Sequence, residues 1–155
     1  MENYLRRLSD IPWEQRRTAS GFACDVPYAI RELASPDEAV RRRAYWRLDN
    51  HIVVQSDLFE AAYDVVPILV AMLEERIKYG RDLAYDLLYE LGNGYAPDDV
   101  TCRRRDGATV GLREGCRSEV KAGIHVYERD LRDPDPKIRS NASDLIELIA
   151  GNDHG

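Results

Sequence analysis

The sequence has little of what catalytic and metal centres are usually built from. Its three histidines, His51, His125 and His154, stand far apart, and none falls in a His-Glu-x-x-His or Cys/His ligand spacing. Its three cysteines, Cys24, Cys102 and Cys116, are an odd number without ligand spacing, which points to free thiols in a reducing compartment. Gly92-Asn93-Gly94 does not continue into a dinucleotide or phosphate-loop motif, and no strand pattern precedes it. No apolar run approaches membrane-spanning length, and Met1-Glu2-Asn3-Tyr4 lacks the charged-then-apolar pattern of a signal peptide. Positive charge is also in the minority, with 22 Lys and Arg against 28 Asp and Glu and a net charge of −6. That balance argues against a nucleic-acid surface, and the local runs Arg41-Arg42-Arg43 and Arg103-Arg104-Arg105 are too small to reverse it. These absences predict a cytoplasmic protein with no catalytic residues, no metal, no cofactor and no membrane or nucleic-acid partner.

What the sequence does contain is a repeat. A shift of 40 residues carries Val26, Pro27, Leu33, Arg41, Ala44, Tyr45 and Leu48 onto Val66, Pro67, Leu73, Arg81, Ala84, Tyr85 and Leu88. A further shift of 58 carries Leu73, Arg81, Ala84 and Leu88 onto Leu131, Arg139, Ala142 and Ile146, the extra residues falling in an irregular segment from Gly92 to Gly111. In Arg-x-x-Ala-x-x-x-Leu the Ala and Leu share one helical face, the Ala permitting close approach of a second helix and the Leu filling the space beyond. One such helix pair cannot cover its own apolar face, so several must stack. The reading is all-α: a short α-solenoid of about three HEAT-like or armadillo-like helical hairpins, in a single domain covering 1–155.

Within it, 1–21 reads as an N-terminal cap, with Trp13 covering the open end of the first repeat. Residues 22–52, 57–91 and 112–150 read as the repeats, and 92–111 as a mobile insertion loop. Asp25 and Ser35 are the expected helix caps of the first repeat, the latter opening a capping box at Ser35-Pro36-Asp37-Glu38. Val40, Ala44, Leu48 and Ile52 form the expected buried stripe behind it. Asp57 is expected to open a helix that kinks or breaks near Val65, ahead of Pro67. A long helix is expected over 112–132, and Gly151 is expected to stop the last one. The recurring Arg41, Arg81 and Arg139 are expected to pair with acids or helix-end carbonyls of neighbouring repeats, phosphate binding being the alternative.

Opposite the Ala/Leu stripe, the second helices carry Trp46 and Asp49 in the first repeat and Asp82, Asp86, Tyr89 and Glu90 in the second. Stacking would place these on one acidic, aromatic surface, with Gln55 and Asn93 at its rim. Trp and Tyr are residue types enriched in binding hot spots. Catalytic alternatives, a helical-repeat DNA glycosylase or a pigment lyase, would need a basic concave face or a pocket that the pattern does not supply.

With these residues in hand, the chain resembles a family of bacterial HEAT-repeat proteins over nearly its whole length. The resemblance rests on Ile11-Pro12-Trp13, Leu33-Ala34-Ser35-Pro36-Asp37 with Arg41 and Ala44, Gln55, Phe59-Glu60-Ala61 and Val66-Pro67. It continues with Leu131-Arg132-Asp133-Pro134-Asp135 and Ile138-Arg139-Ser140-Asn141-Ala142. The sequence departs from that family at Val54 and Ala62, where His and Thr are common. The resemblance implies an immunity protein that neutralises a cognate toxin by occluding its active site. An acidic surface would suit a nuclease or an NAD-consuming enzyme with a basic cleft. A general HEAT adaptor holding a peptide or subunit is the alternative.

Overall fold

The computed structural model of the protein describes residues 3–104 and 106–154, His154 by its backbone alone. Met1 and Glu2 of the expected cap, Arg105 of the basic run and Gly155 lie outside the described residues. Most of the chain is helical, as an all-α reading requires, but three short antiparallel hairpins accompany the helices. Helix α1 spans Asn3–Asp10 and is followed by a 3-10 turn at Trp13–Gln15. The first hairpin, β1 (Arg17–Thr18) with β2 (Gly21–Phe22), precedes α2 (Val26–Leu33) and α3 (Glu38–Asp49). The second, β3 (Val53–Val54) with β4 (Asp57–Leu58), precedes α4 (Ala61–Glu74) and α5 (Arg81–Gly92). The third, β5 (Thr101–Arg103) with β6 (Thr109–Gly111), precedes α6 (Leu112–Ala122), α7 (Ile124–Asp130) and α8 (Pro136–His154).

Helices α2 and α3, α4 and α5, and α7 and α8 pack as pairs, while α5 also runs along α8 and α4 along α6. Helix α3 meets α5 over a shorter stretch. Ala44, Ala84 and Ala142 are all fully buried, as expected where helices approach most closely. The second stripe differs at one end, since Val40 is only half-buried. Leu131, the expected partner of Leu73 in the repeat, is 42% exposed because it lies beyond the end of α7.

The N-terminal segment reaches both of the first two helix pairs. Helix α1 packs on α4, while Ala19 N–H donates to His51 O at 2.8 Å and Ala23 N–H to Trp13 O at 3.2 Å. Trp13 is buried, and its indole Nε1 donates to the Leu8 carbonyl at 2.8 Å, so its polar atom is satisfied within its own segment. Asp57 opens no helix. It lies in β4, and α4 begins four residues later. The β3–β4 turn carries Gln55 at φ 49° and Ser56 at φ 74°, the two left-handed positions of a type I′ turn. Helix α4 runs through Pro67 without a break. Pro67 falls seven residues into α4, and a single missing N–H is tolerated inside a helix held on both sides by packing.

The segment 92–111 is not structureless. Gly92 belongs to α5, and Leu58 N–H donates to Tyr95 O at 2.8 Å while Tyr95 N–H donates to Ser56 O at 2.6 Å. Gly94 makes this tie possible: a Cβ there would sit 2.5 Å from a Leu58 methyl. The hairpin that follows is anchored by buried Cys102, whose sulfur would lie 2.9 Å from a Cβ on Gly115. The expected single helix over 112–132 breaks at Gly123. A side chain there would collide with the Tyr127 hydroxyl at 2.6 Å and with Val70 of α4 at 2.9 Å, and Tyr127 Oη donates instead to Val120 O at 2.8 Å. Gly151 does not stop α8, because tertiary contacts carry it on: Asn152 Nδ2 donates to Gly92 O at 3.0 Å and Lys121 pairs with Asp153 at 3.0 Å.

The cap of α3 is Asp37, whose carboxylate accepts from Ala39 N–H at 2.9 Å; Ser35 Oγ instead accepts from Asp37 N–H at 3.1 Å. Asp25 precedes α2 without a side-chain cap bond. The recurring arginines divide into two uses. Arg41 and Arg139 each donate to the carbonyl six residues earlier, Ser35 O at 2.8 Å and Asp133 O at 2.7 Å, inside their own inter-helix turn. Arg81 pairs with acids of the next helix group, Asp133 at 2.7 Å and Asp130 at 3.3 Å, while the Arg41 guanidinium also lies over the Tyr79 ring of the next pair, 5.4 Å from its centroid. The carbonyls at the end of α4 are taken by Arg129, to Leu73 O at 2.7 Å and Glu74 O at 3.1 Å.

Candidate functional site

The outward face of α3, α5 and α8 carries most of the residues singled out from the sequence. Helix α3 presents Trp46, 58% exposed, and half-buried Asp49. Helix α5 presents Tyr89, 41% exposed, with half-buried Asp82, Asp86 and Glu90. Gln55 is exposed in the β3–β4 turn, and Asn93 is the exposed C-cap of α5. The turn and the end of α5 are joined through Ser56 and Tyr95, so both residues lie toward one end of the same region.

Within this region the acids of α3 and α5 interact directly. Glu90 lies within hydrogen-bonding reach of Asp49, and the Tyr45 hydroxyl approaches Glu90 Oε2 at 3.4 Å. Burial first, then the Asp49 carboxylate, raises the Glu90 carboxyl to about 8, so near neutrality it retains a large share of its proton. Asp86 is also raised, by burial and by Asp82, with Lys137 of α8 opposing the shift. Burial and the surrounding carboxylates of Glu90, Asp49 and Asp86 push the Tyr45 hydroxyl strongly up, so it stays a donor. Lys137 Nζ sits 3.3 Å from Asp82 and is the cation at the edge of this group. Asp86 and Glu90 lie opposite the Ala/Leu stripe and are nonetheless half-buried, because α3 and α8 flank α5.

A surface cavity of about 320 Å³ opens here, lined by Tyr45, Tyr85, Asp86, Tyr89, Asn141 and Asp144. Tyr45 and Asn141 were missed as site residues. A signal was present for Tyr45, since it recurs as Tyr85, and the two tyrosines do the same job. Each donates to a carboxylate on a later helix, Tyr45 to Glu90 and Tyr85 to Asp130 at 2.6 Å. Trp46 adds an exposed ring packed edge-on against Tyr45, with centroids 5.2 Å apart.

Beside this face lies a network centred on one buried carboxylate. Asp130, 1% exposed, accepts from Tyr85 Oη and from Arg129 Nε at 3.2 Å, and faces Arg81 at 3.3 Å. Burial works against the charge of Arg81, but Asp133 and Asp130 more than offset it and hold the guanidinium protonated. Asp133 is lowered despite its burial, because Arg81 and the Asp135 N–H both bond its carboxylate. These groups tie α4, α5 and α7 together, with Arg81 Nε left buried and without a partner among the described residues.

Among the described residues, no group of three or more His, Cys, Asp or Glu side chains is disposed to hold a metal ion. No described helix is long and apolar enough to cross a membrane. Cys24 is exposed, whereas Cys102 and Cys116 are buried. Burial lifts the Cys102 thiol to about 11 and the Cys116 thiol further, so neither is a nucleophile near neutral pH. Compared with protein-family profiles, curated proteins and solved structures, the chain matches none.

Proposed function

We propose that the protein is a non-enzymatic binding module built from HEAT-like helix pairs, and that it acts in the cytoplasm as an immunity protein occluding the active site of a cognate toxin. The observation that carries this reading is the face of α3 and α5, where Trp46 and Tyr89 stand exposed beside the clustered carboxylates Asp49, Asp82, Asp86 and Glu90. Aromatic anchors next to concentrated negative charge suit a partner with a basic cleft. The charge accelerates encounter, and the rings supply contact area once docked. A nuclease or an NAD-consuming enzyme, whose substrates are anionic, has a cleft of that kind. Occlusion needs no catalytic group on the inhibitor.

The test is co-purification with the protein encoded beside this one, combined with a growth-protection assay. Trp46→Ala with Tyr89→Ala leaves the core untouched and is expected to weaken the complex at least ~100-fold, since central aromatic anchors contribute about 2 kcal/mol or more each. A neighbour that is not toxic, or protection unaffected by the double substitution, would overturn the reading.

A further inference from the structure

A second region collects the charge of the opposite sign. The basic doublets Arg6-Arg7, Arg16-Arg17 and Arg103-Arg104 are far apart in the sequence, yet α1, the turn after Trp13 and the β5–β6 hairpin bring members of all three to one groove of about 480 Å³ beside α4. Arg6, Arg7, Arg16, Arg103 and Arg104 line it. Two of these are engaged, Arg16 with Asp64 at 2.7 Å and Arg104 with Asp106 at 2.9 Å. The side chains of Arg6 and Arg103 form no hydrogen bond or ion pair among the described residues, and the Nε of Arg7 is buried without a partner among them. Three carboxylates share the groove. Asp64 is taken by Arg16, Glu119 accepts from Tyr63 Oη at 3.3 Å, and Asp10 remains. In a chain of net charge −6, a lining of five guanidinium groups against three carboxylates leaves this cavity locally positive.

Ile11, Pro12, Pro67 and Ile68 add apolar surface to the lining of the groove. A cavity that combines guanidinium groups with apolar side chains fits a ligand that carries an oxyanion on an organic body. We propose that this groove is a binding site for a phosphorylated small molecule, its phosphate held by Arg7 and Arg103 with Arg6 alongside and its organic part lying against Ile11 and Pro67. The site uses α1, α4 and the third hairpin, and it is separate from the acidic face of α3, α5 and α8.

Isothermal titration at low ionic strength with AMP, inorganic phosphate and adenosine tests the assignment. AMP is expected to bind most tightly, inorganic phosphate more weakly, and adenosine not measurably. Phosphate binding that equals AMP binding would refute the role given to the apolar lining. Arg6→Glu with Arg103→Glu, both on exposed residues, is expected to weaken AMP about tenfold or more. Arg42→Glu with Arg43→Glu, on α3, should leave it unchanged. Should the reversed pair lower the melting temperature, Arg103→Gln alone supplies the same comparison. Absence of AMP binding to the unmodified protein, adenosine binding as tightly as AMP, or unchanged affinity in the Arg103 variants would overturn the proposal.

Discussion

Glu90→Gln is expected to stabilise the protein above neutral pH and to leave its stability in acid unchanged. The Glu90 carboxyl is raised from 4.5 to about 8 by burial, then by its hydrogen bond to Asp49 and the Asp49 charge. The folded state therefore holds a proton that the unfolded chain releases, and wild-type stability falls as pH climbs through the window between those two values. At ~1.36 kcal/mol per tenfold change in proton affinity, the full displacement is worth about 5 kcal/mol. Glu90 is only half-buried, so solvent screening reduces the figure to about 1–2 kcal/mol. Gln keeps an amide donor for Asp49 and an oxygen for the Tyr45 hydroxyl while removing the charge. Urea titrations of both proteins at intervals from pH 5 to 8.5 give the difference directly. It should be near zero at the acid end and grow to about 1–2 kcal/mol at the alkaline end, or roughly 2–8 °C in melting temperature. A difference independent of pH, or a Gln variant less stable at pH 8.5, would show that Glu90 and Asp49 do not share a proton.

Ala84→Leu should cost about 1–3 kcal/mol, because Ala84 of α5 is fully buried and extra methylenes have nowhere to go; an unchanged melting curve would refute this packing. Alkylation by iodoacetamide should label Cys24 alone in the native protein and all three cysteines in denaturant. Mass spectrometry showing native labelling of Cys102 or Cys116 would contradict their burial. Hydrogen exchange should be slow at Arg104 N–H, bonded to Ala108 O at 2.8 Å, and at Leu112 N–H, bonded to Val100 O at 2.9 Å, and fast at Asp98 and Asp99. Uniformly fast exchange over 92–111 would mean that the third hairpin does not persist.

The helices were legible because their signals span many residues. The Ala and Leu positions of α3, α5 and α8 repeat in register, and packing follows that pattern. The hairpins were not legible because β1 to β4 are two residues long, too short for any alternation to register. The β3–β4 turn hides further, since Gln55 and Ser56 take left-handed conformations usually filled by Asn and Gly. Gly123 and Gly94 also act through neighbours distant in sequence, Val70 in one case and Leu58 in the other. Periodicity could place Trp46 and Tyr89 outward, which needs only the helical repeat. It could not show that α8 lies close enough to half-bury Asp86, or that Tyr45 would turn toward Glu90.

The knot at Asp130 bears on how this sequence is free to drift. One carboxylate, closed off from water, serves Tyr85, Arg81 and Arg129, and Arg129 in turn holds the last carbonyls of α4. Replacing Asp130 alone strands a half-buried guanidinium and costs about 3–5 kcal/mol, whereas an apolar exchange of the whole set can be close to neutral. Descendants of this chain would therefore be expected to change these positions together or not at all. Two lineages that took different routes would carry residues at 81, 85 and 130 that are harmless at home and damaging when exchanged one at a time.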